Sequence, residues 1–169
     1  SYEPCTVLAG GVPVIIDLKA ENEFRLTAEE LEAAITDKTK CLILAFPNNP
    51  TGAIMTKEDL EKIAKIIIEK DIIVISDEIY AELTYGREHV SIASLPGMQE
   101  RTILINGFSK AYAMTGWRLG YACGPANIIG QMTKIHQFAI MCAPTTSQYA
   151  AVEALKNGDE DVKEMREAY

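Results

Sequence analysis

NGFSKAYAMTGWRLGY, residues 106–121, places Lys110 between Ser109 and the run Ala111-Tyr112-Ala113-Met114, with Arg118 eight positions on. A lysine kept for solubility has polar neighbours. The neighbours here are apolar, which predicts a nucleophilic amine able to attack a carbonyl and form a Schiff base. A lysine that reaches out of an apolar stretch into solvent would give the same local sequence. The surroundings of the stretch decide between the two.

Immediately before it, TILING (102–107) has the composition of a buried strand, and LGYACG (119–124) follows close behind. Only about a dozen residues separate these two runs, too few for a helical crossover, so the second strand is expected antiparallel to the first. Further out, IIVISDE (72–78) and CLILAF (41–46) are short apolar runs, the latter bounded by Lys40 and Pro47 and expected to be buried on both faces. VPVIIDL (12–18) reads as one more strand.

Helical patterns lie between the strands. Residues 26–35 open with the capping box Thr27-x-x-Glu30, and Thr56 with Asp59 caps a helix whose Leu60, Ile63, Ala64 and Ile67 share one face. Pro125 suits the first turn of a helix to about residue 138, and another runs over 145–155, closed by Asn157-Gly158. Residues 85–99 form the longest irregular stretch, and the chain stops at Tyr169 within a helical pattern. Strands alternating with helices predict one α/β domain: a three-layer α/β/α sandwich with a mostly parallel sheet and one antiparallel strand. Ligands of such sheets bind beyond the carboxyl ends of the strands.

Three of those ends carry polar groups. PNNPTG (47–52) follows the 41–46 strand, DEIY (77–80) ends the next, and FSK (108–110) follows the third. Asn49 to Asp77 is 28 positions and Asp77 to Lys110 is 33, each near the roughly 30 residues of a βαβ unit. Taken singly, Asn-Pro-Thr-Gly is a good turn, Asp77 and Glu78 suit a solvated strand end, Tyr80 a half-buried core position, and Arg118 a partner for Trp117. Independent turns and surface charges have no reason to keep a common register, so we expect an amide, a carboxylate, a phenol and an amine to converge on one crevice. A carboxylate there can hold a protonated ring nitrogen, while Arg118 with Ser109 can hold a phosphate. A pyridine bearing an aldehyde and a phosphate satisfies each of these groups.

The remaining composition narrows the class. A net charge of −8 opposes an extended nucleic-acid surface, which needs clustered Lys and Arg. The apolar runs at 63–68 and 72–75 are interrupted by charges and fall short of a membrane span, and the opening SYEPCTVLAGG lacks the basic and apolar regions of a secretory signal. Cys5, Cys41, Cys123 and Cys142 are far apart with no C-x-x-C pair, and His89 and His136 are distant from each other. Reduced thiols in a cytoplasmic protein, and no metal site, are the expectation.

PNNPTG, SDEIY and NGFSKAYAMTGWRLGY, in that order, resemble the class I/II aminotransferases, enzymes of fold type I that depend on pyridoxal 5'-phosphate (PLP). The resemblance covers nearly the whole chain and rests on three separated motifs. It implies that Lys110 binds the cofactor as a Schiff base and shuttles a proton at the substrate α-carbon. It further implies that Asp77 pairs with the pyridine nitrogen, that Asn49 and Tyr80 hydrogen-bond the ring 3'-oxygen, and that Ser109 and Arg118 bind the phosphate. A cis Asn49-Pro50 peptide is expected from the same source. Gly107 stands where many members carry another phosphate-binding serine.

The family also implies an amino acid and a 2-oxo acid as substrates and a homodimer. Its members are longer, with an amino-terminal segment carrying a glycine-rich turn and a ring-stacking aromatic, and a carboxyl-terminal small domain whose arginine clamps the substrate carboxylate. This chain is therefore expected to be a core piece of the large domain. Two other readings share the same lysine, aspartate and arginine: a C-S β-lyase or related enzyme, and a non-catalytic regulatory module. A nucleotide-binding domain lacks support, since neither G-x-G-x-x-G nor G-x-x-x-x-G-K-[ST] occurs.

Overall fold

The computed structural model describes residues 1–168; Tyr169, where the sequence expects a helical pattern, lies outside them. Four strands form one sheet, β1 (Cys41–Ala45), β2 (Ile73–Asp77), β3 (Thr102–Gly107) and β4 (Gly120–Cys123), in that spatial order. The first three are parallel and β4 runs antiparallel to β3. The helices are α1 (Tyr2–Leu8), α2 (Ala28–Ala34), α3 (Lys57–Glu69), α4 (Ala126–Ala139), α5 (Thr145–Asn157) and α6 (Asp159–Ala168).

The start signals act as the sequence predicts. Thr27 Oγ1 accepts from the Glu30 amide while Glu30 accepts from the Thr27 amide, both at 3.2 Å. Thr56 and Asp59 form the same reciprocal pair at 3.1 Å. Asp59 also accepts from Arg25 Nη1 at 2.8 Å, tying the segment before α2 to the start of α3. Burial pushes the Asp59 carboxyl up, but the Thr56 bonds and the Arg25 guanidinium outweigh that and hold it below the usual carboxylate range.

The apolar stripe of α3 faces inward. Leu60, Ile63, Ala64 and Ile67 are buried together with Leu44, Phe46, Ile72, Val74, Ile92 and Met98. Ile63 and Ile67 are wholly inaccessible, and each such side chain contributes about 1.5–3 kcal/mol relative to exposure. This core lies on one face of the sheet. A smaller cluster of Phe108, Met114 and Ala151 joins the turn after β3 to α5.

Three expectations change. Residues 12–18 form no strand: Ile16 and Leu18 pack against the core, while Val12, Val14 and Ile15 are exposed. A short apolar, β-branched run suits a strand, but a strand also needs a hydrogen-bonding neighbour, and this one has none among the described residues. β1 is buried on one face only: Leu44 is buried while Cys41 is exposed and Ile43 half-buried, and the central strand β2 alternates in the same way, so the core packs against one face of both strands. Helix α1 was not expected, since it buries none of its residues and so has no apolar stripe to betray it.

Candidate functional site

The sheet register brings the three strand ends together. Ala45 pairs with Asp77 and Asp77 with Ile105, so β1, β2 and β3 finish side by side. The segment leaving β1 turns at once: Gly52 N–H donates to the Asn48 carbonyl and the Asn48 N–H to the Ala53 carbonyl, both at 2.8 Å, with Gly52 at φ +72°. Thr51 Oγ1 donates to Asn48 Oδ1 at 2.9 Å, so Asn48 holds the turn and Asn49 is left exposed on it. The peptide between Asn49 and Pro50 is cis, as expected, and so is that between Phe46 and Pro47.

Asn49 Nδ2 donates to the Tyr80 hydroxyl at 3.3 Å across the gap between the first two strand ends. From the third, Lys110 Nζ stands 5.7 Å from the centre of the Tyr80 ring. The four residues Asn49, Asp77, Tyr80 and Lys110 thus share one end of the sheet. Lys110 itself is exposed. Ala111 and Met114 turn into the core while the lysine rides the outside of the turn, so its apolar sequence neighbours do not surround its amine. The expectation of an apolar environment fails here, while the expectation of its position holds.

Ser109 and Arg118 are linked through one residue. Thr115 Oγ1 donates to the Ser109 carbonyl at 2.8 Å, and Arg118 Nη1 donates to the Thr115 carbonyl at 2.9 Å. Arg118 adopts φ 52°, ψ 52°, a left-handed conformation that side-chain-bearing residues rarely take. The glycine at 107 has a packing reason: a Cβ there would lie 2.9 Å from the Gly120 Cα and 3.1 Å from the Leu119 carbonyl, where β3 and β4 meet.

Two groups at the site escaped the sequence reading. Tyr2, on α1, donates its hydroxyl to Asp77 Oδ2 at 2.5 Å, and the Ile79 amide donates to Oδ1 at 3.2 Å, so both carboxylate oxygens are held. Nothing local signals a partner 75 positions away. Burial first, then the hydrogen bond to Asp77 and the carboxylate's charge, push the Tyr2 phenol up from the usual value near 10. A raised folded pKa means that the phenol's contribution to stability is complete below its unfolded value and is lost only as pH rises through the folded one. An alkaline ultraviolet titration is therefore expected to show a late-ionising tyrosine that Tyr2→Phe removes; an unchanged titration curve in the variant would refute the bond.

The other is Glu78, which is buried. It accepts from Ser76 Oγ at 2.9 Å and Ser91 Oγ at 2.8 Å, and lies 2.7 Å from His89 Nε2. His89 thus pins the irregular stretch after Tyr80 to the end of β2. A cleft of about 590 Å³ opens between that stretch and the Asn49 turn, lined by Arg25, Asn49, Tyr80, Tyr85 and Arg87 among others; Asp77 and Lys110 lie outside its lining.

Sheet, register and strand-end residues define an α/β domain with one polar site at the carboxyl ends of its parallel strands. The family model for aminotransferase class I and II matches residues 1–169. The chain is 53% identical over its whole length to a putative aminotransferase, YugH, of Bacillus subtilis, and 51% identical to an aspartate aminotransferase of Pyrococcus abyssi; in both cases it spans 44% of the relative. Among solved structures, the aromatic aminotransferase of Pyrococcus horikoshii superposes with a TM-score of 0.95 at 51% identity, over 98% of this chain and 45% of that one. The chain belongs to the class I and II aminotransferase family, and it spans less than half the length of these relatives.

Proposed function

We propose that this chain is the cofactor-binding core of the large domain of a PLP-dependent aminotransferase, which moves an amino group between an amino acid and a 2-oxo acid. The observation that carries the reading is the convergence of Asp77, the Asn49–Tyr80 pair and Lys110 on the carboxyl ends of three adjacent parallel strands. The donor set fits PLP group by group. Asp77 would face the ring nitrogen, Asn49 and Tyr80 the ring oxygen, Lys110 the aldehyde carbon, and Ser109 with Arg118 the phosphate.

When bound, PLP supplies an electron-withdrawing ring that lets a proton leave the α-carbon of an attached amino acid. The chain's own residues do the rest. Asp77, held by Tyr2 and the Ile79 amide, keeps its carboxylate aimed at one fixed point. Tyr80, positioned by Asn49, offers a phenolic hydroxyl. Lys110 Nζ would carry the proton between the substrate α-carbon and the carbon of the cofactor's aldehyde group.

Tyr80, Asp77 and Lys110 are accordingly the catalytic residues of this reading. The parent protein would add the amino-terminal segment and the small domain. Its subunits would pair as a homodimer, and the exposed apolar side chains of α4 and α5, such as Ile135, Phe138 and Tyr149, suit such contacts. Four free cysteines suit a reducing compartment such as the cytoplasm.

The two Pyrococcus relatives are named for aspartate and for aromatic amino acids at the same 51% identity, so this stretch does not separate those substrates. Isotope-labelled donor amino acids of both classes, supplied to the full-length protein with PLP and an unlabelled 2-oxo acid, test the reading. Transfer of the labelled nitrogen into a new amino acid is expected. Release of the label as ammonia, without transfer, would indicate an eliminating enzyme instead.

A further inference from the structure

Arg118 stands in a left-handed conformation that costs a residue with a side chain, and such conformations persist only where their surroundings enforce them. Its own bond to Thr115, and that of Thr115 to Ser109, tie the turn to itself but to nothing rigid. The external tie comes from α5. Ser147 Oγ donates to the carbonyl of Trp117, the residue directly before Arg118, at 2.7 Å and across 30 positions of sequence. Ser147 is 3% exposed.

A serine within a helix commonly returns its hydroxyl to the carbonyl four residues back. Here that carbonyl, of Ala143, accepts from Gln148 Nε2 at 2.8 Å instead, and the Ser147 hydroxyl goes across to the turn. One helical turn further on, Ala151 packs in the same small cluster as Phe108 and Met114, and the Met114 amide donates to the Phe108 carbonyl at 3.2 Å. The helix therefore grips both ends of the loop that carries Ser109 and Arg118. Packing sets its distance, and the Ser147 bond sets the orientation of the Trp117 peptide from which Arg118 departs.

We propose that Ser147 is a positioning residue for an anion held by Ser109 and Arg118, acting through the Trp117 carbonyl. The proposal rests on the PLP reading, in which the anion is the cofactor's phosphate. Removing the hydroxyl leaves the Trp117 carbonyl without its donor and lets the peptide turn, so the guanidinium loses its aim while the strand-end residues stay in place.

The full-length apoprotein and its Ser147→Ala variant, titrated with PLP and with pyridoxal, which lacks the phosphate, separate these effects. The expected result is a PLP dissociation constant raised about tenfold, the scale of one well-placed hydrogen bond, with that for pyridoxal unchanged. The constant for inorganic phosphate as a competitor of PLP should rise by the same factor. Equal weakening of PLP and pyridoxal would make Ser147 a general stability residue and overturn the proposal, as would no change in either. If the unmodified protein shows no preference for PLP over pyridoxal, the cofactor reading fails and the proposal with it; a strong preference that Ser147→Ala leaves intact overturns the proposal alone.

Discussion

In the full-length protein, Lys110→Ala is expected to abolish the borohydride-stable phosphopyridoxyl label and to lower kcat by about 10⁴-fold, the upper end of what a positioned general base contributes. The upper end applies because one amine has two tasks in this reading: it links to the aldehyde carbon and it carries the α-proton. Among the described residues, Lys110 is the lysine placed over the Tyr80 ring. Lys40 and Lys70 precede β1 and β2 and so lie at the amino ends of those strands, while Lys57, Lys62 and Lys65 belong to α3. Lys110→Arg keeps the positive charge by the Tyr80 ring yet cannot form the link, and its loss should match that of the alanine variant. Peptide mass spectrometry after borohydride reduction of the unmodified protein should place the label on Lys110 alone. Labelling spread over several lysines, or a Lys110→Ala protein that keeps its label, would remove Lys110 from the role.

Lys110 shows what a sequence conveys. Its apolar neighbours suggested an apolar environment, and that was wrong, because neighbours along a turn point to different sides of it: Ala111 and Met114 are buried and Lys110 is exposed. Its spacing from Asp77 and Asn49 was sound, because successive βαβ units of similar length place equivalent residues at equivalent strand ends. Periodicity likewise revealed α3, whose inward face is all apolar, and missed α1, which has no inward face. The VPVIIDL run forms no strand for a related reason: an apolar, β-branched composition suits a strand but does not report whether a backbone partner exists. The contacts of Tyr2, His89 and Ser147 are illegible in the sequence because each is one hydrogen bond to a residue far off in sequence or around a loop, and no local pattern encodes such a contact. Asp77, by contrast, was legible by its place alone.

For Asp77 the expected result is graded. Asp77→Ala removes the only carboxylate assigned to the ring nitrogen, and stripping one partner from a hydrogen-bonded charge pair costs about 3–5 kcal/mol. At one factor of ten per 1.4 kcal/mol, that predicts a fall in kcat/KM of roughly 10²- to 10³-fold or slightly more. Asp77 is only half-buried, which favours the lower end. Asp77→Asn keeps the shape and a hydrogen-bonding oxygen but not the charge, so its loss should approach that of alanine if charge matters most. Asp77→Glu keeps the charge but displaces it from the Tyr2 hydroxyl and the Ile79 amide, which hold the two oxygens of the native carboxylate. Its activity should fall between that of the unmodified protein and that of Asp77→Asn. The order aspartate, glutamate, asparagine, alanine in steady-state kcat/KM would identify a charged group aimed at one atom. Activity within tenfold of the unmodified protein in Asp77→Ala would mean that this carboxylate only closes the end of β2, and that the strand-end convergence serves another ligand.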